Sequence, residues 1–364
     1  MQRSLRLSLS LSGAAALALA GTPLQPVAAQ EDGSADDLGG VMSINLKDVV
    51  KPNLGFQGAL KGAGTPNQAG IGGFLPLSVG ENSVFFADVL LNANFADRAG
   101  KSSIVDTDVA GTTISTSTRL GYRWLNGDRS WMYGLNAGYD SRPMNTGGTD
   151  TGINVSGTEK SVFFQQVAVN AEAVSNDLNF NAYALVPIGE TTQRLNNFYV
   201  GGALDTYGID VGYFITPQLN ASIGYYYQQD EVVSDSGVLG RVAYEMASGV
   251  TAGLNISYDE EYDTRVSADL NVRFGGPSST ETQKKKWKNP TINALTASPK
   301  NRDVRVHDGK SSYTKGCPKV VNRFEDTPCA LAIYADSNFA RCGKSFCTSN
   351  AGKDGRSGQS INSF

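Results

Sequence analysis

From Thr113 to Asp140 the chain alternates residue by residue between apolar and polar. Ile114, Leu120, Tyr122 and Trp124 share one parity, and Ser115, Ser117, Arg119, Gly121 and Arg123 share the other. After Asn126-Gly127 the order resumes, with Trp131, Tyr133, Leu135, Ala137 and Tyr139 set against Met132, Gly134, Asn136, Gly138 and Asp140. Strand side chains point to opposite faces in turn, so the pattern predicts two strands, each with one apolar and one polar face. An Asn-Gly pair favours positive φ and a tight hairpin between them. Similar stretches recur and predict twelve strands, at roughly 54–61, 71–79, 83–95, 113–125, 130–141, 161–174, 178–188, 204–215, 219–229, 237–246, 250–259 and 264–274.

The two faces differ in kind. Aliphatic and aromatic residues such as Phe85, Val89 and Leu91, or Val266, Leu270 and Phe274, fill one face. The other collects Asp88, Arg119, Arg123, Asp140, Glu172, Asp210, Arg241, Glu245, Asp269 and Arg273. A dry sandwich core could not take those charges, because an isolated buried charge costs far more than packing returns. A wet lumen can, while the apolar face meets lipid, where Arg or Lys would cost about 2–4 kcal/mol at mid-bilayer. The connections also alternate in length. Short ones (SVGENS, LNGDRS, SND, TPQ and ASG) are interleaved with long polar ones such as KGAGTPNQAGIGG, DRAGKSSIVDTDVAGTT, SRPMNTGGTDTGINVSGTEK and GETTQRLNNFYVGGA. These features predict an all-β, twelve-stranded antiparallel outer-membrane barrel with short periplasmic turns and longer outer loops, both barrel ends lying in the periplasm.

Composition refines the layout. Arg3 and Arg6 precede an apolar run to Ala20, and Val27-Ala28-Ala29 offers a small-residue cleavage site, so 1–29 reads as a signal peptide. Residues 30–53 are then a short periplasmic lead, 54–274 the barrel, 275–310 a basic linker and 311–364 a small C-terminal module. Residues 1–274 carry 16 Lys+Arg against 28 Asp+Glu, whereas 275–364 carry 15 against 7. Cys317, Cys329, Cys342 and Cys347 all fall in the last module. Their C-x11-C-x12-C-x4-C spacing is not that of a zinc site. In an exported chain it reads as two disulfides, with three connectivities open.

The run Thr118 to Pro143, with Asp177–Gly189 and Tyr213–Glu231, resembles the translocator of the intimin/invasin family, the inverse autotransporters. The pattern lies in Gly121, Tyr122, Arg123, Trp124, Trp131, Met132, Tyr133, Gly134, Asn136, Tyr139 and Asp140. The resemblance covers about 54–274. It implies a monomeric barrel in the outer membrane of a Gram-negative-type bacterium, matured by periplasmic chaperones and the barrel-assembly machinery. It further implies that the following chain returns through the pore and displays a passenger, often an adhesin, at the cell surface.

Other chemistry is sparse. The single histidine, His307, lies outside the predicted strands and reads as a loop residue, so a His-based hydrolytic site on the barrel has nowhere to sit. The resulting expectation is a protein that is not an enzyme, needs no cofactor and holds no metal. Gly100-Lys101-Ser102 lacks the upstream glycine of a phosphate loop and reads as outer loop. Asp259-Glu260-Glu261-Tyr262-Asp263 could hold a divalent cation or bridge lipopolysaccharide, but a solvated loop is the plainer reading. Lys284-Lys285-Lys286-Trp287-Lys288 could suggest nucleic acid or anionic lipid, and reads instead as linker near the pore mouth, with no nucleic-acid partner. An extended chain covers about 3.3–3.6 Å per residue, so ~10 residues could cross a 30 Å membrane and the linker is long enough to thread the pore. Two rival readings stand beside self-display. One is a passive channel, with the tail periplasmic or plugging the pore from below. The other is a structural surface protein whose tail binds polysaccharide or another cell.

Overall fold

The computed structural model describes residues 44–275 and 289–310, apart from positions 61, 99–100, 151–152, 155–159, 197–198 and 231–232. Its strands are β1 Asn53–Leu60, β2 Asn67–Val79, β3 Ser83–Phe95, β4 Thr107–Ala110, β5 Thr113–Leu125, β6 Trp131–Asp150, β7 Ile153–Asn154, β8 Ser161–Ser175, β9 Leu178–Pro187, β10 Thr192–Arg194, β11 Tyr199–Ala203, β12 Asp205–Thr216, β13 Leu219–Gln229, β14 Ser234–Ala247, β15 Val250–Asp259, β16 Asp263–Phe274 and β17 Val306–Lys310. Twelve of them close on themselves in the order β1-β2-β3-β5-β6-β8-β9-β12-β13-β14-β15-β16. The seam pairs β1 with β16 antiparallel, from Leu54↔Phe274 to Leu60↔Ala268. Every neighbour in the wall is antiparallel, and closure leaves no edge to cap.

The wall is inverted relative to a soluble protein. Its outward parity is a belt of exposed Leu54, Phe56, Val89, Leu120, Leu135, Ile209, Ile256 and Leu270, among others. Its inward parity is buried and polar, with Asp88, Asn92, Ser117, Arg119, Arg123, Asn136, Asp140 and Asn170 all under a tenth exposed. Aromatic rings cluster at the short-turn end of the outer face. Tyr122 stacks on Trp124 at 5.8 Å, Trp124 meets Tyr133 at 5.9 Å, and Trp131 lies 6.2 Å from both Tyr133 and Phe180. That is the girdle expected where lipid gives way to headgroups.

Twelve strand boundaries move, on eight of the strands, most of them by a single residue. β2 begins at Asn67 rather than 71, because Asn67–Gly70 continue to pair with β3. β6 runs on to Asp150, nine residues past the predicted end, since Ser141–Asn145 pair with β8 and its extension takes up β4. β14 starts three residues early, and β8 and β16 each extend by one. The β5–β6 turn does not use left-handed backbone at Asn126-Gly127. The positive φ falls on Arg129 (57°), and the Asn126 side chain instead caps the turn, its Oδ1 accepting from Trp131 N at 2.9 Å.

Two single-turn helices lie near the short-turn end. α1, Leu46–Val49, has Leu46 and Val49 buried, and Arg129 donates to the carbonyl of the preceding Ile44. α2, Pro290–Ala294, lies against β6 and β8. Asn289 Oδ1 accepts from Ile292 N at 3.0 Å and Pro290 fills the first position, an arrangement suited to a helix start. One turn cannot hold itself in water, so burial of Pro290, Thr291, Ile292 and Ala294 must hold it.

Candidate functional site: the occupied lumen

Residues 289–310 run through the inside of the barrel. Thr291 Oγ1 approaches Asn176 Oδ1 at 3.2 Å, within the short β8–β9 turn. At the far end β17 pairs with β11, which lies in the long β9–β12 connection. The contacts between track the tail from Leu295 to Val304. Arg273 Nη1 donates to Thr296 O at 2.7 Å, Arg123 Nη1 to Leu295 O and Ala297 O at 3.2 and 2.7 Å, Arg119 Nη2 to Asn301 O at 3.1 Å, and Arg142 Nη1 to Val304 O at 2.9 Å. Four wall arginines thus hold five backbone carbonyls of the tail.

Three of the four are themselves positioned by an acid across the wall or by an outer loop. Arg119 and Asp140 form a bidentate pair at 2.7 and 2.8 Å, both side chains fully buried. Ser117 Oγ and Gln166 Nε2 also donate to Asp140, at 2.5 and 2.8 Å. Arg123 Nε meets Glu172 Oε1 at 2.7 Å, and its guanidinium lies 4.6 Å over the Phe86 ring. Arg142 also donates to Gly64 O, in the β1–β2 connection. The charge traffic also runs from tail to wall. Arg302 pairs with Asp88 and donates to Ser117 Oγ at 2.7 Å and Ser117 O at 3.0 Å. Asp303 accepts from Gln68 Nε2 at 2.9 Å. Bidentate, charge-assisted bonds of this kind fix geometry as well as charge.

The remaining lumen charges named from sequence lie on β12 to β16. Arg241 pairs with Asp269 at 2.5 and 3.0 Å, and both also meet Asn255. Asp210 accepts from Asn181 Nδ2 at 3.2 Å. Glu245 Oε1 accepts from Gly249 N at 3.0 Å at the short-turn end. The inward parity thus holds all ten. Of the motif residues, Gly121, Arg123, Gly134, Asn136 and Asp140 face inward, while Tyr122, Trp124, Trp131 and Tyr139 face outward. Gly134 is small for a reason: a Cβ there would meet Glu172 Oε1 at 2.6 Å and Arg123 Cγ at 3.0 Å.

At the long-loop end the connections fold into a cap. β10, β11 and β17 form a three-stranded sheet. Ile104, Val109, Met144, Val162, Phe164, Leu195, Tyr199, Ala203, Val304 and Val306 form one apolar cluster spanning loops, wall and tail. Arg305 stacks 4.3 Å over Tyr226, and Tyr262 donates to Val306 O at 2.9 Å. Gly64 (φ +78°) approaches so closely that a Cβ would sit 2.5 Å from Tyr262 Oη. Burial raises Asp97 above the usual carboxylate range, against the hydrogen bonds it accepts from Ser103 and Val109.

Two expectations are corrected here. His307 is no loop residue: it sits in β17, is 2% exposed, and its Nε2 lies 2.5 Å from Asp230 Oδ2. The 259–263 segment is not simply solvated, because Asp259 and Tyr262 are each 1% exposed. Asp259 accepts from Tyr226 Oη at 2.5 Å and from Tyr262 N at 2.6 Å, so its oxygens serve the cap. Among the described residues no cluster of three His, Cys, Asp or Glu could hold a metal ion. Cys317, Cys329, Cys342, Cys347, the 284–288 lysine run and the 1–29 leader lie outside the described residues.

Sequence reasoning missed Arg142, Gln166, Arg302 and Asp303, and placed Ser117 on the polar face without giving it a partner. Arg142 lay one residue past a strand end drawn too short. Arg302 and Asp303 gave no signal, because a threading segment has no alternation to mark which side chains meet a wall.

No protein-family model and no curated protein matches the chain. Solved structures do. One from work on the in meso crystallization of membrane proteins matches over 71% of this chain and 100% of that one, at 11% identity and a TM-score of 0.53. The KdgM porin matches over 61% and 99%, at 7% identity and 0.35, and the beta domain of the Bordetella autotransporter BrkA over 62% and 98%, at 14% and 0.33. At such identities the likeness is one of fold. The chain is a closed twelve-stranded barrel of the outer-membrane type.

Proposed function

We propose that the barrel anchors and carries its own C-terminal segment across the outer membrane, as an inverse autotransporter does. The observation that supports this reading is the path of residues 289–310, from the short-turn end to the outer cap, gripped by Arg119, Arg123, Arg142 and Arg273. Short turns face the periplasm in barrels of this type, so a chain entering there and reaching the long loops emerges outside. The wall supplies the anchor through its lipid-facing belt, and the lumen supplies a polar track that satisfies the backbone of the passing chain. The residues beyond 310 are then the surface-displayed module. No reaction and no cofactor enter this work.

An epitope tag placed just before Phe364 tests it on intact cells. Antibody and added protease should reach the tag without permeabilising the outer membrane. A tag reachable only after permeabilisation overturns self-display. A second reading, a barrel that passes small ions, draws on Lys300. That residue is exposed inside the wall, among the charges of Arg241, Asp210, Glu172 and Asp269, so part of the lumen stays wet beside the tail.

A further inference from the structure

The outer cap holds a group of titratable residues that transport does not need. His307 and Asp308 are consecutive on β17, point to opposite sides and are 2% and 3% exposed. His307 Nε2 lies 2.5 Å from Asp230 Oδ2, in the β13–β14 connection. Asp308 accepts from Asp106 N at 2.9 Å and Thr107 N at 2.6 Å, in the β3–β5 connection. One short strand therefore ties two outer loops to the sheet formed with β11. The site is built for the contact: Gly202 pairs with His307 across β11, and a Cβ there would meet Asp230 Oδ2 at 2.2 Å and His307 Nε2 at 3.1 Å.

We propose that Val306–Lys310 is a proton-dependent clasp, docked firmly on the outer cap in acid and loosening as the medium turns alkaline. The clasp is a regulatory device on the seat of the tail. It rests on that seat in the barrel and is independent of the fate of the residues beyond Lys310.

The charges around the strand set the direction. Facing His307 are Asp230, Glu261 and, on its own strand, Asp308. Asp259, Asp230 and Asp235 surround Glu261, and Asp205 faces Asp230. Asp106 faces Asp308, and Arg305 is occupied by Tyr226 and Gln228. Burial works against a charged imidazole, but the hydrogen bond and charge of Asp230 outweigh it and hold His307 above its ordinary value. Burial pushes Asp308 up to about 7 despite its backbone hydrogen bonds, and burial also raises Glu261. A released strand would return His307 and Asp308 toward ordinary values, so the docked state binds more protons. The stabilisation from His307 is complete below its ordinary value and lost as pH rises through the raised one. Asp308 adds stability as pH falls from about 7 toward 3.8, and opposes docking above about 7. The two act in the same direction. For Asp308 alone, moving from 3.8 to about 7 on docking, linkage weakens docking about 30-fold between pH 5.5 and pH 8.5.

Hydrogen–deuterium exchange on the reconstituted full chain, corrected for intrinsic rates, reads the 306–310 amides directly. Their protection should fall about 30-fold or more from pH 5.5 to pH 8.5, while mid-wall amides of β5 and β6 hold. Asp308→Asn, which keeps one acceptor oxygen, should flatten most of the change. His307→Gln should remove a part of it, and serves where the Asn variant does not fold. Protected amides that ignore pH overturn the clasp alone. Amides unprotected at every pH overturn both the clasp and the threaded tail, whatever the surface tag shows.

Discussion

Arg302→Ala should unseat the tail. Arg302 is a buried charged contact between tail and wall, reaching Asp88 and two atoms of Ser117, with the two charged side chains only 8% and 2% exposed. Removing it leaves Asp88 buried, with Ser298 Oγ at 3.3 Å as a remaining tail partner. Breaking a buried pair from one side costs about 3–5 kcal/mol. The charge of Arg273, which also acts with Asp88, argues for the lower end, and about 3 kcal/mol corresponds to an unseated fraction roughly 100-fold higher. Single-channel recording in planar bilayers measures that fraction as time spent in full-size openings. The decisive result is a double-mutant cycle with Asp88→Ala. If the pair is what holds the tail, the double variant should open far less than the product of the two singles, with a coupling of about 2 kcal/mol. Effects that simply multiply would refute the assignment of Asp88 and Arg302 as partners.

Two further substitutions test the wall. Leu120→Arg places a charge on the outward face, where Leu120 is 56% exposed, and should destabilise the folded barrel by about 2–4 kcal/mol, read as a lower urea midpoint in lipid vesicles. Gly138→Ala should prevent clean closure of β5 on β6, because its Cβ would lie 1.8 Å from Thr118 O. Gly58→Ala, with nothing within 4 Å, should be near neutral. Electrophoretic heat-modifiability of the folded barrel separates the two, and equal behaviour would refute the close-approach argument.

Much of the wall was legible because period two is a strong signal when each face has a single solvent. Leu120, Tyr122 and Trp124 could face only lipid, and Arg119 and Arg123 could face only the lumen. Which linker residues meet the wall was not legible in the same way. Arg119, Arg123 and Arg273 announced a polar interior, but their partners in the tail are backbone carbonyls, which every sequence carries. His307 was misplaced for a related reason. A strand of five residues that borrows its partner from a loop about 105 positions upstream leaves too short a pattern to read, and Gly202, the residue that admits it, looks like any loop glycine. The outer loops were read as polar connections, yet Ile104, Val109, Leu195 and Tyr199 build an apolar cluster there. Those residues are scattered, in ones and twos, through otherwise polar connections.

The grip of four arginines on five carbonyls bears on how this protein can evolve. A channel that recognised side chains would tie each change in the cargo to a compensating change in the barrel. A channel that holds main chain releases them from one another. Substitution at the half-buried Ala297 leaves the gripped oxygen where it was, so the threaded segment is free to drift there while the wall stays constant, whereas the buried Leu295 and Val304 stay tied to their packing. Selection on barrel and tail can then proceed separately, apart from the few positions, such as Arg302 and Asp303, whose side chains reach the wall.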